Sequence, residues 1–536
     1  MLFLLFLVTF LTGEGFERLE FPGRKPAVVR TPFGRIISVR GKTYVWNERG
    51  SWKVNLVKLN GERVFMFRTK LGYGMASLYV YALNGTLKVE GKEFKGTGWK
   101  IFPVRKGTFM ITIKGKGLAI LSDVFVYRAE KKYVFLISAD TLRWDFIRPS
   151  LTPEIVRFSR DSAVFKNAYS PSSWTLPAHM SVFTSLYSYN HMVYCRGDRL
   201  SPARRFLVEA LAKDFYTFSF NAGMFVGKGH GFYRGFDWFQ ENEKDLLDKA
   251  ASKRMFEEGL KFLQRLPVSN VFAFLHTYQI HSPYQCPDWG CRRGEKESWM
   301  RFPQFLGGLR NIFKPIPTER RKNLIELYSD EVAYFDHWFG KFINSLKKMG
   351  IYEDSMIILF SDHGEEFFEH QGWGHGHSLF NELIKVPLIV KFPHSRVKGI
   401  FKAPGSLVDI FPTVFQEFRL QYKGKMDGVP LTITKNRDII STLLCPNLGD
   451  IPYQVSFING NKKVIVIRGG NFKKLPYQNI YLRDGSFGFD LGRDPMEKSP
   501  SFHDKNYIKR GVRLIRKFKR RGRKGELEKL KALGYI

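Results

Sequence analysis

The chain has 536 residues, of which 44% are hydrophobic and 25% are charged. This composition supports a sizeable buried core and excludes a disordered chain, a collagen and a small disulfide-stapled scaffold. Lysine and arginine number 85 against 50 aspartates and glutamates, which gives a formal net charge of +35. A field of that sign attracts phosphate or sulfate esters, nucleic acid and anionic lipid alike, so charge alone does not select a ligand.

Residues 1–21 form an apolar N-terminal segment that begins MLFLLFLVTFLT. The run is shorter than the roughly 20 residues that a membrane-spanning helix needs. It resembles the hydrophobic part of a signal peptide, but no lysine or arginine precedes it and no clear small-x-small cleavage site follows. Localisation therefore stays open between a secreted or membrane-associated protein and a cytoplasmic one.

Residues 22–130 carry short segments in which apolar and polar side chains alternate, including KVNLVKL, RVFMFR and DVFVYR. Turn signals such as Asn60-Gly61 and Asn84-Gly85 separate them. Regular short strands with glycine-rich turns predict a β-sandwich. Few histidines or acidic residues cluster here, so we expect an accessory domain with its own core that is dispensable for chemistry.

Residues 131–536 change to an alternation of strand, loop and helix. Tyr133–Ala139, Val271–Leu275 and Met356–Ser361 are continuous apolar runs, which is typical of strands buried on both faces of a sheet. Apolar residues recur at helical spacing over Leu324–Leu346. The alternation predicts an α/β layer fold, in which ligands bind beyond the carboxyl ends of the strands.

Metal-capable side chains follow these three strands directly. Asp140 follows the first strand, His276 and His281 follow the second, and Asp362 and His363 follow the third. A single aspartate after a strand is usually a helix cap, but three such groups at one sheet edge indicate a site. Two carboxylates and an imidazole suit a divalent cation.

The segment Ser170–Thr184 is a Ser/Thr-rich turn followed by a helix-compatible pattern, with Thr175 just before the expected helix start. A helix N-terminus offers free N–H groups and a positive dipole end to phosphate or sulfate. Taken alone, however, this pattern favours a helix cap.

Longer strings resemble the sulfatase branch of the alkaline-phosphatase superfamily. SDHGE with a downstream GHG and VPLIV is highly specific in combination. The resemblance implies a mixed sheet flanked by helices and a metal-dependent hydrolase of sulfate or phosphate mono- or diesters. The strings are ISADTLRWD (137–145), FKNAYSPSSWTLPAHMSVFTSLYSYNH (165–191), GFYRGFDWF (231–239), FLHTYQIHSPY (274–284), YSDEVAYFD (328–336), ILFSDHGEEFFEHQGWGHGHSLFNELIKVPLIV (358–390) and LKALGYI (530–536).

The resemblance also implies a ligand set for one divalent cation (Ca, Mn, Zn or Mg), with room for a second. By position, Asp140, Thr175, Asp362 and His363 match the metal ligands of the family. The second aspartate found in many sulfatases is Thr141 here, which implies fewer carboxylate ligands.

The nucleophile position departs from the sulfatase pattern. Thr175 stands where sulfatases carry the Cys or Ser that becomes formylglycine, and His179 replaces the arginine of that motif. Threonine cannot become formylglycine, so the resemblance implies attack by the hydroxyl itself. Relatives with threonine here include phosphoethanolamine- and glycerol-phosphate-transferring enzymes.

Histidines supply the remaining expected roles. His281 resembles the substrate-binding histidine of the family, and His375 falls near its lysine or histidine for substrate oxygens, with His377 as the second candidate. We expect His281 and His375 to be catalytic, because imidazoles stabilise developing charge and protonate leaving groups. These two, together with His179 and His377, are the expected substrate-binding residues.

Four further residues are expected to act indirectly. We expect structural or supporting roles for His191 and His276, and a supporting role beside the metal for Glu365 and His370.

Three functions remain open: an ester hydrolase, a transferase that passes a phospho-head group to a glycan or lipid, and a non-catalytic protein that binds anionic glycans. Retention of the complete residue set argues against a decayed site. The expected partner is an anionic ester, such as a sulfated or phosphorylated glycan or lipid, and no specific nucleic acid. The basic stretch Lys509–Lys524 is a candidate contact for anionic membrane.

The four cysteines are too few for a disulfide framework in a chain of this length. Cys286 and Cys291 are close enough in sequence for a local bridge, but we expect free thiols.

Overall fold

The computed structural model describes residues 29–517, with gaps within that range. The apolar N-terminal segment, the end of the basic C-terminal stretch, Cys291 and LKALGYI lie outside the described residues. The gaps are 32–33, 40–41, 48–49, 90–91, 123–124, 128–131, 213, 243–244, 267–269, 290–298, 301–312, 314, 434–436, 446–451 and 470–482.

Strands account for most of the regular structure at both ends of the chain, and helices lie mainly between them. The strands are β1 Val29–Thr31, β2 Gly34–Val39, β3 Lys42–Asn47, β4 Gly50–Ala82, β5 Gly85–Val89, β6 Lys92–Phe94, β7 Gly98–Leu121, β8 Phe125–Tyr127, β9 Lys132–Ala139, β10 Ala163–Phe165, β11 Ala168–Tyr169, β12 Tyr216–Asn221, β13 Trp238–Glu241, β14 Asn270–Thr277, β15 Tyr284–Gln285, β16 Trp299–Met300, β17 Ser355–Phe360, β18 Glu366–Phe367, β19 Trp373–Gly374, β20 Leu388–Lys391, β21 Gly399–Phe401, β22 Gly405–Ser406, β23 Ile439–Leu443, β24 Tyr453–Asn459, β25 Lys462–Arg468 and β26 Gly485–Asp490. The helices are α1 Pro153–Ser159, α2 Thr175–Thr184, α3 Ser188–His191, α4 Val208–Leu211, α5 Ala251–Arg265, α6 Thr318–Lys348, α7 Asn381–Ile384 and α8 Ile410–Glu417, and residues 505–517 are also helical.

The central sheet is mixed, as expected. Strands β13, β12, β14, β9 and β17 lie side by side and parallel, and β20 then pairs antiparallel with β17. The three predicted apolar strands are therefore neighbours in the order β14, β9, β17. Ser138 of β9 pairs in register with His276 on one side and with Phe360 on the other. The residues that follow these strands consequently share one edge.

Helices cover both faces of this sheet. Along β9, Val134 and Leu136 pack into one hydrophobic core, whereas Phe135 and Ile137 pack into the other. The alternation explains why the strand is apolar throughout, since neither face meets water. The first core includes side chains of α2 and α8, and the second includes those of α1, α5 and α6. The predicted α/β architecture is confirmed.

The N-terminal strands form antiparallel sheet around a separate core. β4 and β7 make one long ribbon, and β5 and β8 pair with its outer edges. Side chains from β4, β5 and β7 enclose a core that includes Leu78, Val104 and Ile113. The first residues of β4 also pair with β13, Trp52 opposite Trp238. The N-terminal strands therefore extend the central sheet in addition to packing on each other.

This pairing bears on the expected independence of the N-terminal region. Removing residues 1–130 would expose β13 as an edge strand and take away Trp99, whose ring lies 5.4 Å from that of Tyr216. We expect the truncated chain to unfold at lower temperature than the full chain but to retain metal binding, which calorimetry with and without added metal would measure. A truncated protein that folds yet binds no metal would contradict placing the site wholly after residue 131.

The C-terminal part of the chain contains a four-stranded antiparallel sheet, β23-β24-β25-β26. The amide of Thr442 in β23 donates to the carbonyl of Pro171 (2.9 Å), so this sheet packs beside the segment that leads into α2. None of the helices within the described ranges is long and apolar enough to cross a bilayer.

The prediction of free thiols is wrong. Cys195 and Cys445 form a disulfide across a sequence separation of 250 residues, and Cys286 is also disulfide-bonded. The long bridge forms because β23 brings Cys445 to the loop after α3, a proximity that sequence spacing does not reveal. Disulfides are typical of oxidising compartments.

Candidate active site

The ends of β9 and β17 bring two carboxylates and an imidazole together. Ligand atoms of Asp140, Asp362 and His363 all lie within 4.8 Å of one another, and all three residues are buried. His363 Nε2 lies 3.3 Å from Asp362 Oδ2 and 3.7 Å from Asp140 Oδ1. The parallel register of the two strands produces this convergence.

The donor set of this cluster fits a divalent cation. Asp140 Oδ1 and both carboxylate oxygens of Asp362 are buried without a hydrogen-bond partner. Buried polar atoms normally form hydrogen bonds, so three carboxylate oxygens without one around a single point indicate a ligand. Oxygen and imidazole donors suit Ca, Mn, Zn or Mg.

The electrostatics of the two carboxylates also favour a cation. Burial, reinforced by the charge of Asp362, raises the pKa of Asp140 well above its ordinary value. Burial opposes ionisation of Asp362 too, but the imidazoles of His363 and His179 outweigh it and hold its pKa below the usual range. Like charges so close disfavour joint ionisation, and a cation between them would offset that repulsion.

Thr141 turns away from this cluster. Its hydroxyl donates to the carbonyls of Asp140 (2.7 Å) and Ile280 (3.1 Å). Its φ of 60° is unusual for a β-branched residue and places the turn directly after Asp140. Thr141 thus shapes the strand end without supplying a ligand.

Thr175 lies beside the cluster as the first residue of α2. Its Oγ1 is 3.3 Å from His363 Nε2, and the side chain is only 2% exposed. Trp174, not Thr175, occupies the N-cap position. The structure therefore places the hydroxyl against a candidate metal ligand at a helix N-terminus, where it does not cap the helix.

His179 and His276 lie behind the two carboxylates. His179 Nδ1 is 3.0 Å from the carbonyl of Thr175 and 3.3 Å from Asp362 Oδ2, and its Nε2 is 2.9 Å from Ser138 Oγ. His276 Nε2 is 3.5 Å from Asp140 Oδ2. Both rings are buried. Their positions favour orienting the carboxylates over contact with substrate, which differs from the role expected for His179.

His281 and His375 lie beside His363 at the edge of the cluster. The His375 ring centroid lies 4.4 Å from that of His363 and 4.9 Å from that of His281. Burial lowers the pKa of His281 to about 3 and that of His375 to about 4. Both rings are therefore neutral without substrate, and a bound anion would favour their protonated forms.

Glu365 fixes the orientation of His375. Its Oε1 lies 2.7 Å from His375 Nδ1, and its Oε2 accepts a 2.8 Å hydrogen bond from the Tyr284 hydroxyl. A proton held on Nδ1 by the carboxylate leaves Nε2 of His375 for proton transfer. Glu365 thus supports a catalytic candidate rather than the metal ligands.

His377 is not brought together with Thr175. Its Nε2 lies 2.6 Å from Glu366 Oε2, and its carbonyl accepts from Gln454 Nε2 at 2.8 Å. These contacts tie the loop that carries His375 to the C-terminal sheet. His191 is also remote from the cluster, with its Nε2 3.0 Å from Ser181 Oγ.

His370 is buried and forms hydrogen bonds to residues from two other parts of the chain. Its Nδ1 donates to Glu382 Oε1 (2.5 Å) and its Nε2 donates to the carbonyl of Glu497 (3.1 Å). Glu497 in turn pairs with the buried Lys463 at 2.6 Å. Both ring nitrogens of His370 face hydrogen-bond acceptors, so the folded protein stabilises the protonated imidazolium form.

We expect this imidazolium to make stability fall at alkaline pH. Burial opposes its charge, but Glu382 outweighs burial and raises the pKa of His370 from 6.5 to about 9. The stabilisation is complete below about pH 6.5 and is lost as pH rises through about 9. Thermal unfolding of metal-loaded protein from pH 6.5 to 9.5 should show the decline, and His370→Gln should flatten it. An equal slope in both proteins would contradict the assignment.

Sequence reasoning did not identify Ser138 and Tyr284 as part of this site. Ser138 lies two residues before Asp140, and the period of a strand places alternate residues on the same face, so that signal was available. Tyr284 lies within the string that carries His281. Its partner Glu365 was expected near the metal, and only the fold shows that it reaches His375.

The fold is thus a mixed α/β sheet flanked by helices, with a buried carboxylate–imidazole cluster at one edge. The family model "Sulfatase" matches residues 132–418, and the chain belongs to the sulfatase family. It is 22% identical over 370 residues to the extracellular sulfatase SULF-1 homolog of Drosophila melanogaster, covering 58% of this chain and 32% of that protein. This chain thus spans about a third of that relative's length.

Two further similarities concern other kinds of protein. The chain is 25% identical over 307 residues to the low-salt glycan biosynthesis sulfotransferase Agl7 of Haloferax volcanii, covering 56% of this chain and 63% of that protein. The structure matches phosphonate monoester hydrolase of Agrobacterium radiobacter with a TM-score of 0.57 and 18% identity, covering 75% and 96% of the two chains. The second match shows the fold alone.

Proposed function

We propose that this protein is a metal-dependent hydrolase that cleaves sulfate or phosphate esters through Thr175. The observation that carries the proposal is the position of the Thr175 hydroxyl, 3.3 Å from His363 Nε2 and beside carboxylate oxygens that have no hydrogen-bond partner. Membership of the sulfatase family supports the reaction class.

The four residues Asp140, Thr175, Asp362 and His363 would hold the cation. When bound, a divalent cation polarises an ester oxygen and lowers the pKa of a neighbouring hydroxyl. His179 and His276 hold the two carboxylates from behind, so the ligand oxygens need little reorganisation when substrate arrives.

Thr175 gives its hydroxyl proton to solvent, its oxygen attacks the phosphorus or sulfur, the bond to the leaving-group oxygen breaks, and a covalent threonine ester forms. His281 and His375 face the charge that develops on the ester oxygens. The bound anion favours protonated His375, which keeps one proton on Nδ1 beside Glu365 and delivers the other from Nε2 to the leaving group. Water then gives one proton to His375 Nε2 and attacks the threonine ester, which releases the phosphate or sulfate group and leaves Thr175 to regain its hydroxyl proton from solvent. Glu365 keeps His375 in the required tautomer throughout the cycle.

The expected substrates are anionic esters, with glycans as the favoured class. Both curated relatives carry names from sulfate chemistry, and that of the Haloferax protein refers to a glycan. Threonine keeps phosphate mono- and diesters as strong candidates, because its attack needs no formylglycine. The net charge of +35 favours any of these anions over neutral substrates.

Transfer to an acceptor alcohol is the second candidate. Similarity to a protein named as a glycan biosynthesis sulfotransferase favours it specifically. The covalent threonine ester is common to both reactions, and only the final nucleophile differs. Adding glycerol or a monosaccharide to a reaction would divert product from the inorganic anion to a new ester if transfer operates.

A panel of chromogenic aryl sulfate, phosphate monoester, phosphodiester and phosphonate substrates tests the proposal, each with Ca, Mn, Zn and Mg. We expect turnover of at least one sulfate or phosphate ester that requires added metal and disappears with a chelator. Metal content is measured in parallel. Protein that binds stoichiometric metal yet turns over no ester would favour the glycan-binding alternative.

A further inference from the structure

Arg196 is an exposed arginine on the loop that follows α3. Arg196 follows Cys195, and its guanidinium carbon is 6.0 Å from the centroid of the Phe225 ring. The Phe225 ring lies 5.6 Å from that of Trp174, which directly precedes Thr175. Three side chains thus connect a surface cation to the start of α2.

The loop that carries Arg196 is held in place. The disulfide between Cys195 and Cys445 ties it to the C-terminal sheet. Asp198 Oδ2 accepts the amides of Tyr194 (2.9 Å) and Cys195 (2.8 Å). Arg196 therefore starts from a fixed backbone position, which reduces the entropy cost of binding a ligand.

Arg196 makes no ion pair with any residue in the described ranges, whereas nearby Lys228 pairs with Glu241 at 2.6 Å. The cluster and its two histidines already provide for the charge of the reacting ester, so Arg196 remains available to another anionic group.

We propose that Arg196 binds a second anionic group of the substrate, so that the preferred substrate carries a sulfate, phosphate or carboxylate beside the ester that is cleaved. The inference rests on the proposed ester-cleaving site and deepens it. A planar guanidinium with exposed donors binds such groups with two parallel hydrogen bonds, which a lysine cannot reproduce.

Binding of two sulfonates that resist hydrolysis tests this specificity. Calorimetry on full-length, metal-loaded protein compares benzenesulfonate, which carries one anionic group, with 1,3-benzenedisulfonate, which carries two. We expect the disulfonate to bind about 10- to 100-fold more tightly, as a charge-assisted hydrogen-bonded pair allows. Arg196→Gln should bring the ratio close to one, and Arg196→Lys should retain part of it.

Arg199→Gln is the matched control, since Arg199 lies on the same loop and its guanidinium reaches the Tyr233 hydroxyl at 3.4 Å. It should leave the ratio unchanged. A ratio that survives Arg196→Gln, or one that falls equally in both variants, would overturn the proposal. The two proposals can fail separately, because ester turnover is measured with monoanionic substrates and the ratio is measured without any reaction.

Discussion

Replacing Thr175 by alanine is expected to reduce turnover by several orders of magnitude while the fold and most of the bound metal are retained. The variant removes the attacking oxygen, and losses of this size are typical when a nucleophile is deleted. The remaining ligands Asp140, Asp362 and His363 still converge within 4.8 Å. Steady-state kinetics and metal analysis on the same preparation would measure both effects.

Thr175→Ser is the control for this experiment. It keeps the attacking oxygen and loses one methyl group, so we expect measurable activity. If the hydroxyl only stabilised the start of α2, Thr175→Ala would cost about 1 kcal/mol of stability and little rate. Near-normal turnover by the alanine variant would therefore contradict the nucleophile assignment.

Replacing Asp362 or His363 by alanine is expected to abolish tight metal binding together with activity. Each change removes one of few ligands, and the cluster then lacks a complete coordination shell. Added metal should raise the thermal unfolding temperature of the wild type, because a ligand bound only to the folded state stabilises it. That shift should disappear in both variants.

Two further variants make this result interpretable. Asp362→Asn keeps the size of the side chain but removes its charge. It therefore separates loss of a metal ligand from misfolding, which could also explain a loss in the alanine variant. His394→Ala removes a histidine whose side chain is 69% exposed and should leave the metal-induced shift unchanged. Full metal stoichiometry in the Asp362 and His363 variants would remove this pair from the site.

Much of the candidate site was predictable because two features of the sequence act together. Apolar runs identify buried strands, and the carboxyl ends of parallel strands meet at one edge of a sheet. Uniformly apolar strands identified β9, β14 and β17, and the convergence of parallel strand ends placed Asp140 near Asp362 and His363. The pairing of β4 with β13 could not be predicted in this way. Alternation of apolar and polar residues predicts a strand, but it does not show which strand lies next to it. The bridge between Cys195 and Cys445 was hidden for the same reason.

The choice between His375 and His377 needed the backbone of their loop. Gly374 and Gly376 have φ values of 80° and 78°, which glycine adopts without strain. The chain turns at each glycine, so one ring meets His281 while the other meets Glu366. The sequence resemblance favoured His375 over His377, and the backbone shows why the two neighbouring rings have different surroundings.

Arg196 illustrates a second limit of the sequence. Nothing distinguishes it from the other cationic residues of a chain with 85 lysines and arginines. Its contact with Phe225, which packs on Trp174, and the neighbouring disulfide hold it near the start of α2. Contacts between residues far apart in sequence, rather than a sequence motif, distinguish Arg196 from the other cationic residues.

Trapping the covalent intermediate is the most direct test of the account. A slow ester substrate is mixed with metal-loaded enzyme, the reaction is quenched rapidly with acid, and the peptides are analysed by mass spectrometry. We predict a phosphate or sulfate adduct on Thr175, within the peptide that contains Ser170–His179, and no adduct on that peptide from Thr175→Ala. An adduct on any other residue, or full turnover by Thr175→Ala, would contradict the mechanism.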